Sequence, residues 1–416
     1  MAQCDRSNNT DKQTDGISTG LTRREALQRG SVLGIAGGAA LTGLTQTAGA
    51  QQAAKTKMPT AVLGRTGVKV SRLAMGGAWD VDSEVVGAGL EQGINYIDTA
   101  QVYNGGNSET AFGTILKQMG ATGLSEARKK LWLVTKSPDV HNMETRLDRS
   151  LVKLQQDYVD CYYMHGIRDP KLPASSEIKA MAERMKKSGK TRFFGFSCHD
   201  DPLVECLNAA ADSGFIDVIM FRYDYHYYKS DALNRAIDRC VKAKIGLVAM
   251  KTQVGAMTLP EKINPFLKRG VNQHQAAIKA VAIDARMTSI CSEMVTADQM
   301  RQNASAIAGK LTVAEADAIQ EHAQLVSHLW CRGCDHICRK ASGAGSTVAV
   351  ADSLRFLMYH DHYGKMEHAR TLYAGLPEAD RDPEAIANGD WAAAEQVCPH
   401  NVPLTKLMLR VKERLA

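Results

Sequence analysis

Between Val70 and Asn303 the chain repeats one pattern eight times: a short apolar run of strand length, then an amphipathic stretch of helix length. The strand-like runs fall at residues 72–75, 96–98, 131–135, 159–164, 192–196, 218–223, 246–250 and 288–291. Between them, sets such as Met143, Leu147, Leu151 and Leu154, or Leu233, Ala236, Ile237 and Cys240, put one apolar stripe on a helix that can pack against a sheet. Asp82 or Ser83 is placed to cap the first helix and Gly93 to end it. Strictly alternating strand and helix implies a parallel sheet with helices on its faces. Eight such pairs in about 230 residues is the order and length of a closed (β/α)8 TIM barrel. The competing architecture is a doubly wound sheet. It is disfavoured because no Gly-rich dinucleotide fingerprint follows the first strand, where Gly76-Gly77 stands alone.

In such a barrel the C-terminal ends of the strands form one face, and four reactive side chains collect there. Asp98 and Lys136 end the second and third strands, His165 follows the fourth, and Tyr103 lies in the loop after Asp98. Each has an ordinary structural reading as a turn cap, a surface lysine, a core histidine or a packed loop tyrosine. Their convergence on one rim favours catalysis. Tyrosine, with a reference pKa of about 10, is a proton donor at neutral pH, and an adjacent ammonium stabilises the phenolate left behind. Lys136 is expected to supply that charge and so to acidify Tyr103, Asp98 to hold the ammonium, and His165 to orient a substrate oxygen.

Upstream, residues 61–73 read as a hairpin turning at Arg65-Thr66-Gly67, placed to plug the bottom of the barrel. Residues 1–50 hold a polar stretch, Arg23-Arg24, a Gly/Ala-rich apolar run from Gly30 to Leu44, and Ala48-Gly49-Ala50. This resembles a twin-arginine export signal, with Ala26 where such signals usually place Phe. Cleavage after Ala50 and a periplasmic location are expected. The apolar run is too short and too rich in glycine to leave a stable membrane span. The whole chain carries a net charge of +6, and removing residues 1–50, with five Lys/Arg against four acids, leaves +5. A charge that mild and dispersed argues against nucleic acid as a partner.

The stretch from Gly93 to Glu109, G-x-N-x-x-D-T-A-x-x-Y with a following N-S-E, the V-T-K strand end at Lys136 and the histidine at 165 together resemble the aldo-keto reductase family over residues 59–305. The resemblance implies hydride transfer between a nicotinamide cofactor and a carbonyl or alcohol, with Tyr103 as general acid/base, Lys136 and Asp98 tuning it, and His165 orienting substrate. It also implies cofactor contacts. Ser197 matches a carboxamide-binding serine, Tyr223 a ring-stacking aromatic, Lys251 and Gly255 the loop that straddles the cofactor, and Gln299 and Asn303 the adenine side. Cys198 and Met220 stand where the family has Asn and Gln, and Glu293 stands where a Gly or Lys usually meets the 2′-phosphate. A carboxylate there repels phosphate, so NAD is expected to be favoured over NADP.

Beyond a boundary placed at residues 310–312, the chain reads as a mainly helical cysteine-cluster domain, 311–416, following a barrel of 59–310. Cys331, Cys334 and Cys338 form a Cys-x2-Cys-x3-Cys run, and Cys398 precedes Pro399. Four thiolates ending in Cys-Pro suit one 4Fe-4S cluster. Zinc, with His328 or His336, and two disulfides remain as alternatives. The tail resembles the iron-sulfur extension of one branch of aldo-keto reductases, although there the fourth cysteine follows closely and here residues 341–396 intervene. Twin-arginine export carries folded proteins, so a cluster assembled before export would survive the crossing.

Two functions compete at this stage. One is an exported oxidoreductase acting on a small carbonyl or alcohol, a sugar among the candidates, with electrons relayed by the cluster to an external carrier. The other is a non-catalytic or regulatory barrel subunit that has lost its nicotinamide. Trp79 and residues 225–228 suggest an aromatic-rich pocket.

Overall fold

The computed structural model describes residues 58–416, apart from 201, 228–229, 254–258, 327, 329–330 and 344–347. The expected export leader lies outside the described residues. Two short strands, β1 (Thr60–Val62) and β2 (Lys69–Ser71), pair antiparallel. Eight further strands close a parallel barrel: β3 (Leu73–Gly76), β4 (Tyr96–Asp98), β5 (Trp132–Ser137), β6 (Val159–Met164), β7 (Thr191–Cys198), β8 (Val218–Arg222), β9 (Gly246–Met250) and β10 (Ser289–Glu293), with β10 pairing back to β3. The sequence-expected runs thus all form strands, with ends shifted by a residue or two.

Eight helices wrap the barrel: α1 (Ser83–Glu91), α2 (Ser108–Gln118), α3 (Met143–Leu154), α4 (Ser176–Lys187), α5 (Leu203–Ser213), α6 (Asp231–Lys242), α7 (Gln273–Ala282) and α8 (Ala297–Ala308). Their stripes bury residues such as Leu147, Leu154 and Ile237 against the outward-facing strand residues Ile97, Leu133, Tyr162 and Phe221. The inward-facing residues, among them Ala74, Tyr96, Trp132, Val134, Tyr163 and Val248, form a separate core inside the barrel. Pleating separates the two sets, because successive side chains along a strand take opposite faces.

The hairpin seals the N-terminal end of the barrel, as expected. Leu63 is fully buried among the interior residues, and the Arg65 guanidinium donates to the carbonyls of Gly214 and Ala243 at 2.8 and 2.7 Å. Gly64 sits at φ +51°, and a Cβ there would lie 2.2 Å from the backbone nitrogen of Gly246, so no larger residue fits this contact.

The expected boundary at residues 310–312 falls between two helices that both pack on the barrel. Helix α9 (Val313–Val326) follows the anticipated break at 310–312, yet it buries Ala318 and Ile319 against Ala276, Ala277 and Ala280 of α7, and Glu315 bonds Lys279 at 2.7 Å. A second core begins only beyond it. That core gathers α10 (Asp335–Ala341), α11 (Val350–Tyr363), α12 (Met366–Ala374), α13 (Trp391–Gln396) and α14 (Leu404–Arg414) around Leu357, Tyr373, Trp391, Met408 and Val411. Thr312 and Glu315 cap α9 reciprocally, a start signal that reads equally well as an opening domain or as one more barrel helix. Among the described residues no helix is long and apolar enough to cross a membrane.

Candidate active site

Odd and even positions decide which strand-end residues reach the barrel mouth. In β4 and β5 the inward register contains Tyr96, Trp132 and Val134, and extending it two residues toward the mouth gives Asp98 and Lys136. In β6 the inward residues Cys161 and Tyr163 lead to His165 in the same way. Tyr103 arrives from the loop after β4. Directly behind it Asn104, Gly105 and Gly106 take φ of +49°, +60° and +90°, a tight reversal that only an Asn-Gly-Gly sequence tolerates readily.

These four residues meet at one floor. Lys136 Nζ donates to Asp98 Oδ2 at 2.6 Å, to the Thr99 carbonyl at 2.9 Å and to the Tyr103 hydroxyl at 3.3 Å. The Lys136 and Asp98 side chains are 0% and 2% exposed. The Tyr103 and His165 rings stand edge to face with centroids 5.3 Å apart. Burial, together with the Lys136 ammonium, holds His165 well below its ordinary pKa, so its imidazole is neutral and has one N–H to give. Asp98 is raised by burial, an effect Lys136 opposes.

Tyr103 departs from expectation. Burial first, and then the Asp98 carboxylate, push its phenol well above the usual value instead of below it. The Lys136 ammonium, paired with Asp98 at 2.6 Å, does not offset that burial, and Tyr103 stands in its protonated, hydroxyl form.

Above this floor opens a cavity of about 630 Å³, within the range of ligand pockets. The inferred cofactor residues divide. Ser197 lines the cavity and accepts from the Gly166 amide at 2.9 Å. Gln299 and Asn303 line its far wall, where Asn303 Nδ2 donates to Ser292 Oγ at 3.1 Å. Lys251 lines it as well, but donates to the hydroxyl of Tyr359 on α11 at 2.9 Å. Tyr223 does not reach the cavity. It follows the inward Met220 by an odd number of residues, so its ring is buried between strands and helices, and its hydroxyl donates to Asp284 Oδ2 at 2.6 Å. Parity likewise turns Cys198 outward. Gly255 lies outside the described residues.

Glu293 is in the cavity, with its carboxylate accepting from the Ala78 and Trp79 amides at 2.9 Å each, and burial raises its pKa to about 7. Of the expected aromatic lining, Trp79 is present. Tyr225 instead packs against α9 and bonds His322 at 2.9 Å.

What the sequence reading missed is the roof. Arg355, Phe356, Tyr359 and Tyr363 of α11 all line the cavity. The spacing of Arg355, Tyr359 and Tyr363 by four residues, which puts them on one helix face, was the available signal. A charged cluster fixes that helix to the barrel: Asp200, just past β7, receives Arg168 at 2.7 Å and Arg355 at 3.2 Å, and Arg168 also reaches Asp352 at 2.7 Å.

The four tail cysteines line one small pocket, with Pro399, His400 and Leu404. Among the described residues no disulfide links any cysteine pair, so the disulfide alternative is not formed. Burial pushes the Cys331 and Cys338 thiols up to about 12, and the Val402 amide donates to Cys398 Sγ at 3.4 Å. Among the described residues, no group of three or more His, Cys, Asp or Glu side chains is arranged to hold a metal ion. A cavity of about 60 Å³ lies between this pocket and the active site, sharing Cys331 with the one and His199, Lys251 and Arg355 with the other.

An eight-stranded parallel barrel with a buried Lys-Asp pair beside a tyrosine defines a class of barrel enzyme. The sequence pattern of the aldo/keto reductase family matches residues 82–324, more than half of the chain, and the chain belongs to that family of oxidoreductases. The match ends within α9, in keeping with that helix's place on the barrel. Among relatives, the uncharacterized oxidoreductase YrpG of Bacillus subtilis is 27% identical over 47% of this chain, and the chain spans 66% of that protein, just under two thirds. L-galactose dehydrogenase of Arabidopsis thaliana is 26% identical over 64% of this chain and 95% of its own length. The solved structure of aldo-keto reductase AKR11C1 from Bacillus halodurans shares the fold, with a TM-score of 0.52 and 22% identity over 64% of this chain and 96% of that one.

Proposed function

We propose that this protein is an exported oxidoreductase interconverting a small carbonyl compound and its alcohol, with Tyr103 as the proton donor and acceptor. The observation that carries the reading is the contact chain from Asp98 through Lys136 to the Tyr103 hydroxyl, 2.6 and 3.3 Å long, on the floor of a ligand-sized cavity. A binding scaffold has no use for a buried ion pair spent on one phenol, since desolvating two charges costs several kcal/mol.

A nicotinamide dinucleotide, the hydride carrier of such chemistry, fits the residues present: Ser197 toward its reactive end, and Gln299 and Asn303 toward the other. The neutral His165 gives its N–H to the substrate oxygen and fixes it beside Tyr103. Tyr103 then protonates that oxygen as negative charge gathers on it, and Lys136, held by Asp98, stabilises the phenolate until a proton returns. In the alcohol-oxidising direction the same groups act in reverse. Glu293 supports NAD over NADP, because a carboxylate on the cavity wall repels an added phosphate. The sugar relative supports a sugar as substrate.

In the tail, Cys331, Cys334, Cys338 and Cys398 are suited to a 4Fe-4S cluster, which would pass electrons to an external carrier. Four thiols from two segments around one pocket support this. Cluster binding is tested by iron and acid-labile sulfide content and absorbance near 400 nm in protein purified without oxygen. The periplasmic location rests on Arg23-Arg24 and is tested by fractionating cells that express Arg23→Lys/Arg24→Lys.

The outward turn of Tyr223 favours a second reading, a non-catalytic barrel subunit. Turnover of any aldehyde that is lost in Tyr103→Phe with dinucleotide binding retained excludes it. Wild-type-like turnover in Tyr103→Phe overturns the role of Tyr103 as proton donor, and dinucleotide binding without turnover of any carbonyl or alcohol overturns the enzymatic reading.

A further inference from the structure

The cavity contains two phenol-ammonium pairs, one on each side. On the floor is Tyr103 with Lys136, inside the region that matches the family; on the roof is Tyr359 with Lys251, contributed by α11, beyond it. The two phenols are close enough for the charge of one to act on the other. Their surroundings are opposite in sense. Lys136 is neutralised by Asp98 at 2.6 Å, whereas among the described residues no carboxylate bonds Lys251; Arg355, one helical turn from Tyr359, is itself paired with Asp200 and Asp352.

The charged and titratable groups around Tyr359 include Lys251 from the end of β9, Arg355 with its partner Asp352 from its own helix, Asp200 and His199 from beyond β7, Lys365 and His368 at the start of α12, and the phenols of Tyr103 and Tyr363. The positive groups outweigh burial and Asp200, and hold the Tyr359 phenol below its ordinary value. Two titratable groups displaced in opposite directions within one site mark a division of proton-handling labour.

A structural tether alone does not account for the backbone at Lys251. It lies at φ +57°, a left-handed conformation that costs a non-glycine residue roughly 1–2 kcal/mol, and it aims the ammonium at the Tyr359 hydroxyl. Trp79 meets the Tyr359 ring edge-on at 5.6 Å and Tyr363 stacks on it at 5.7 Å, so the hydroxyl sits at the polar tip of an aromatic wall.

We propose that Tyr359, held by Lys251, is a second substrate-binding residue that hydrogen-bonds the hydroxyl next to the reacting carbon, and that the substrates are therefore α-hydroxy carbonyl compounds and vicinal diols. The proposal rests on the reading that Tyr103 serves the reacting oxygen. Tyr359 accepts from the neighbouring hydroxyl while the aromatic wall packs on the carbon skeleton. A compound lacking that hydroxyl leaves the half-buried Tyr359 oxygen with Lys251 as its partner and no substrate donor, and binds less well.

The test compares glyceraldehyde with propanal in the full chain. Wild type should prefer glyceraldehyde in kcat/KM by about tenfold or more, and Tyr359→Phe should cut that ratio about tenfold. Lys251→Met, which keeps the phenol, should cut it severalfold and raise the pH at which tyrosinate absorbance near 295 nm first develops. A binding arm, tryptophan quenching by glycerol against 1-propanol, reads the same preference without turnover. Equal handling of both compounds by wild type, or a preference that survives Tyr359→Phe, overturns the proposal. Turnover undiminished in Tyr103→Phe overturns the functional reading instead, and the glycerol arm then still decides the role of Tyr359.

Discussion

The floor and the roof of the active-site cavity are made by different physics. The floor is held by the barrel's hydrogen-bonded strands: Asp98 pairs in register with Val134, and Lys136 with Tyr163, so the placement of the side chains follows from backbone register. The roof is held by side-chain contacts, among them Asp200 with its two arginines, Arg168 with Asp352, and the bond from Lys251 to Tyr359. Chemistry that must be positioned to a fraction of an ångström belongs on the first kind of support, and recognition that differs among relatives belongs on the second. The sharpest way to break this division is to remove the floor's phenol. Tyr103→Phe should lower kcat by roughly 10²- to 10⁴-fold with dinucleotide affinity little changed, checked by steady-state kinetics beside calorimetry.

Next in size is the floor's ion pair. Lys136 and Asp98 are both withdrawn from water, so Lys136→Met strands a carboxylate in the barrel and should cost roughly 3–5 kcal/mol, read from urea denaturation. Asp98→Asn strands the ammonium with a similar penalty. The double substitution Lys136→Met/Asp98→Leu should recover a good part of that loss while remaining inactive, which separates the pair's catalytic value from its stability. Roof contacts should cost less when broken, because their arginines stay partly in water, with the Arg168 and Arg355 side chains 44% and 19% exposed.

The same division explains what could be read from the sequence. The barrel was legible because period-two and helical patterns alternate eight times, and the floor because strand ends in a barrel share one rim. Tyr223 was misplaced for want of parity: an alignment of residue types put an aromatic near the right position, but Met220 faces inward, and an odd step from it faces out. The acidity of Tyr103 was misjudged because the burial of the phenol, the largest influence on it, does not show in a sequence. The roof was illegible for a different reason. Residues 355–363 lie some two hundred positions from the floor, and only the docking of α11 through Asp200 brings them over the cavity. The late start of the second core belongs to the same class, since α9 carries an apolar face that either unit could have buried.

The roof's anchor should be lost to acid, whereas the floor's Asp98, raised by burial, responds in the opposite sense. Asp200 is held well below the ordinary carboxylate range, despite burial, by His199, Arg355 and Arg168. A depressed folded-state pKa means that the cluster's stability is complete above the unfolded value of about 3.9 and is lost as pH falls through the folded value. Acidification should therefore release α11 before the barrel opens. Asp200→Asn should reproduce this at neutral pH at a cost of roughly 2 kcal/mol, seen as faster hydrogen exchange in α11 with strand amides unchanged. Equal exchange in both regions would mean that roof and floor open as one.

The smallest expected effect joins the two regions at Glu293, which stands on the barrel rim and fixes the Ala78 and Trp79 amides beside the roof. Its carboxyl is raised to about 7 by burial, against 4.5 for the free side chain, so between those values the folded chain holds a proton that the unfolded chain has released. Stability must then fall as pH rises across that window, the opposite sign to Asp200. The drop should be only roughly 1–2 kcal/mol, because two backbone amides already favour the charged form and the group borders an open cavity. Glu293→Gln keeps one amide contact, removes the titration and should flatten stability from pH 5 to 8. The same change should narrow the discrimination of NAD over NADP about fivefold, and more above pH 7, where the wild-type carboxylate is fully charged, than below it. Discrimination that is independent of pH in the wild type would place the source of that preference on the roof.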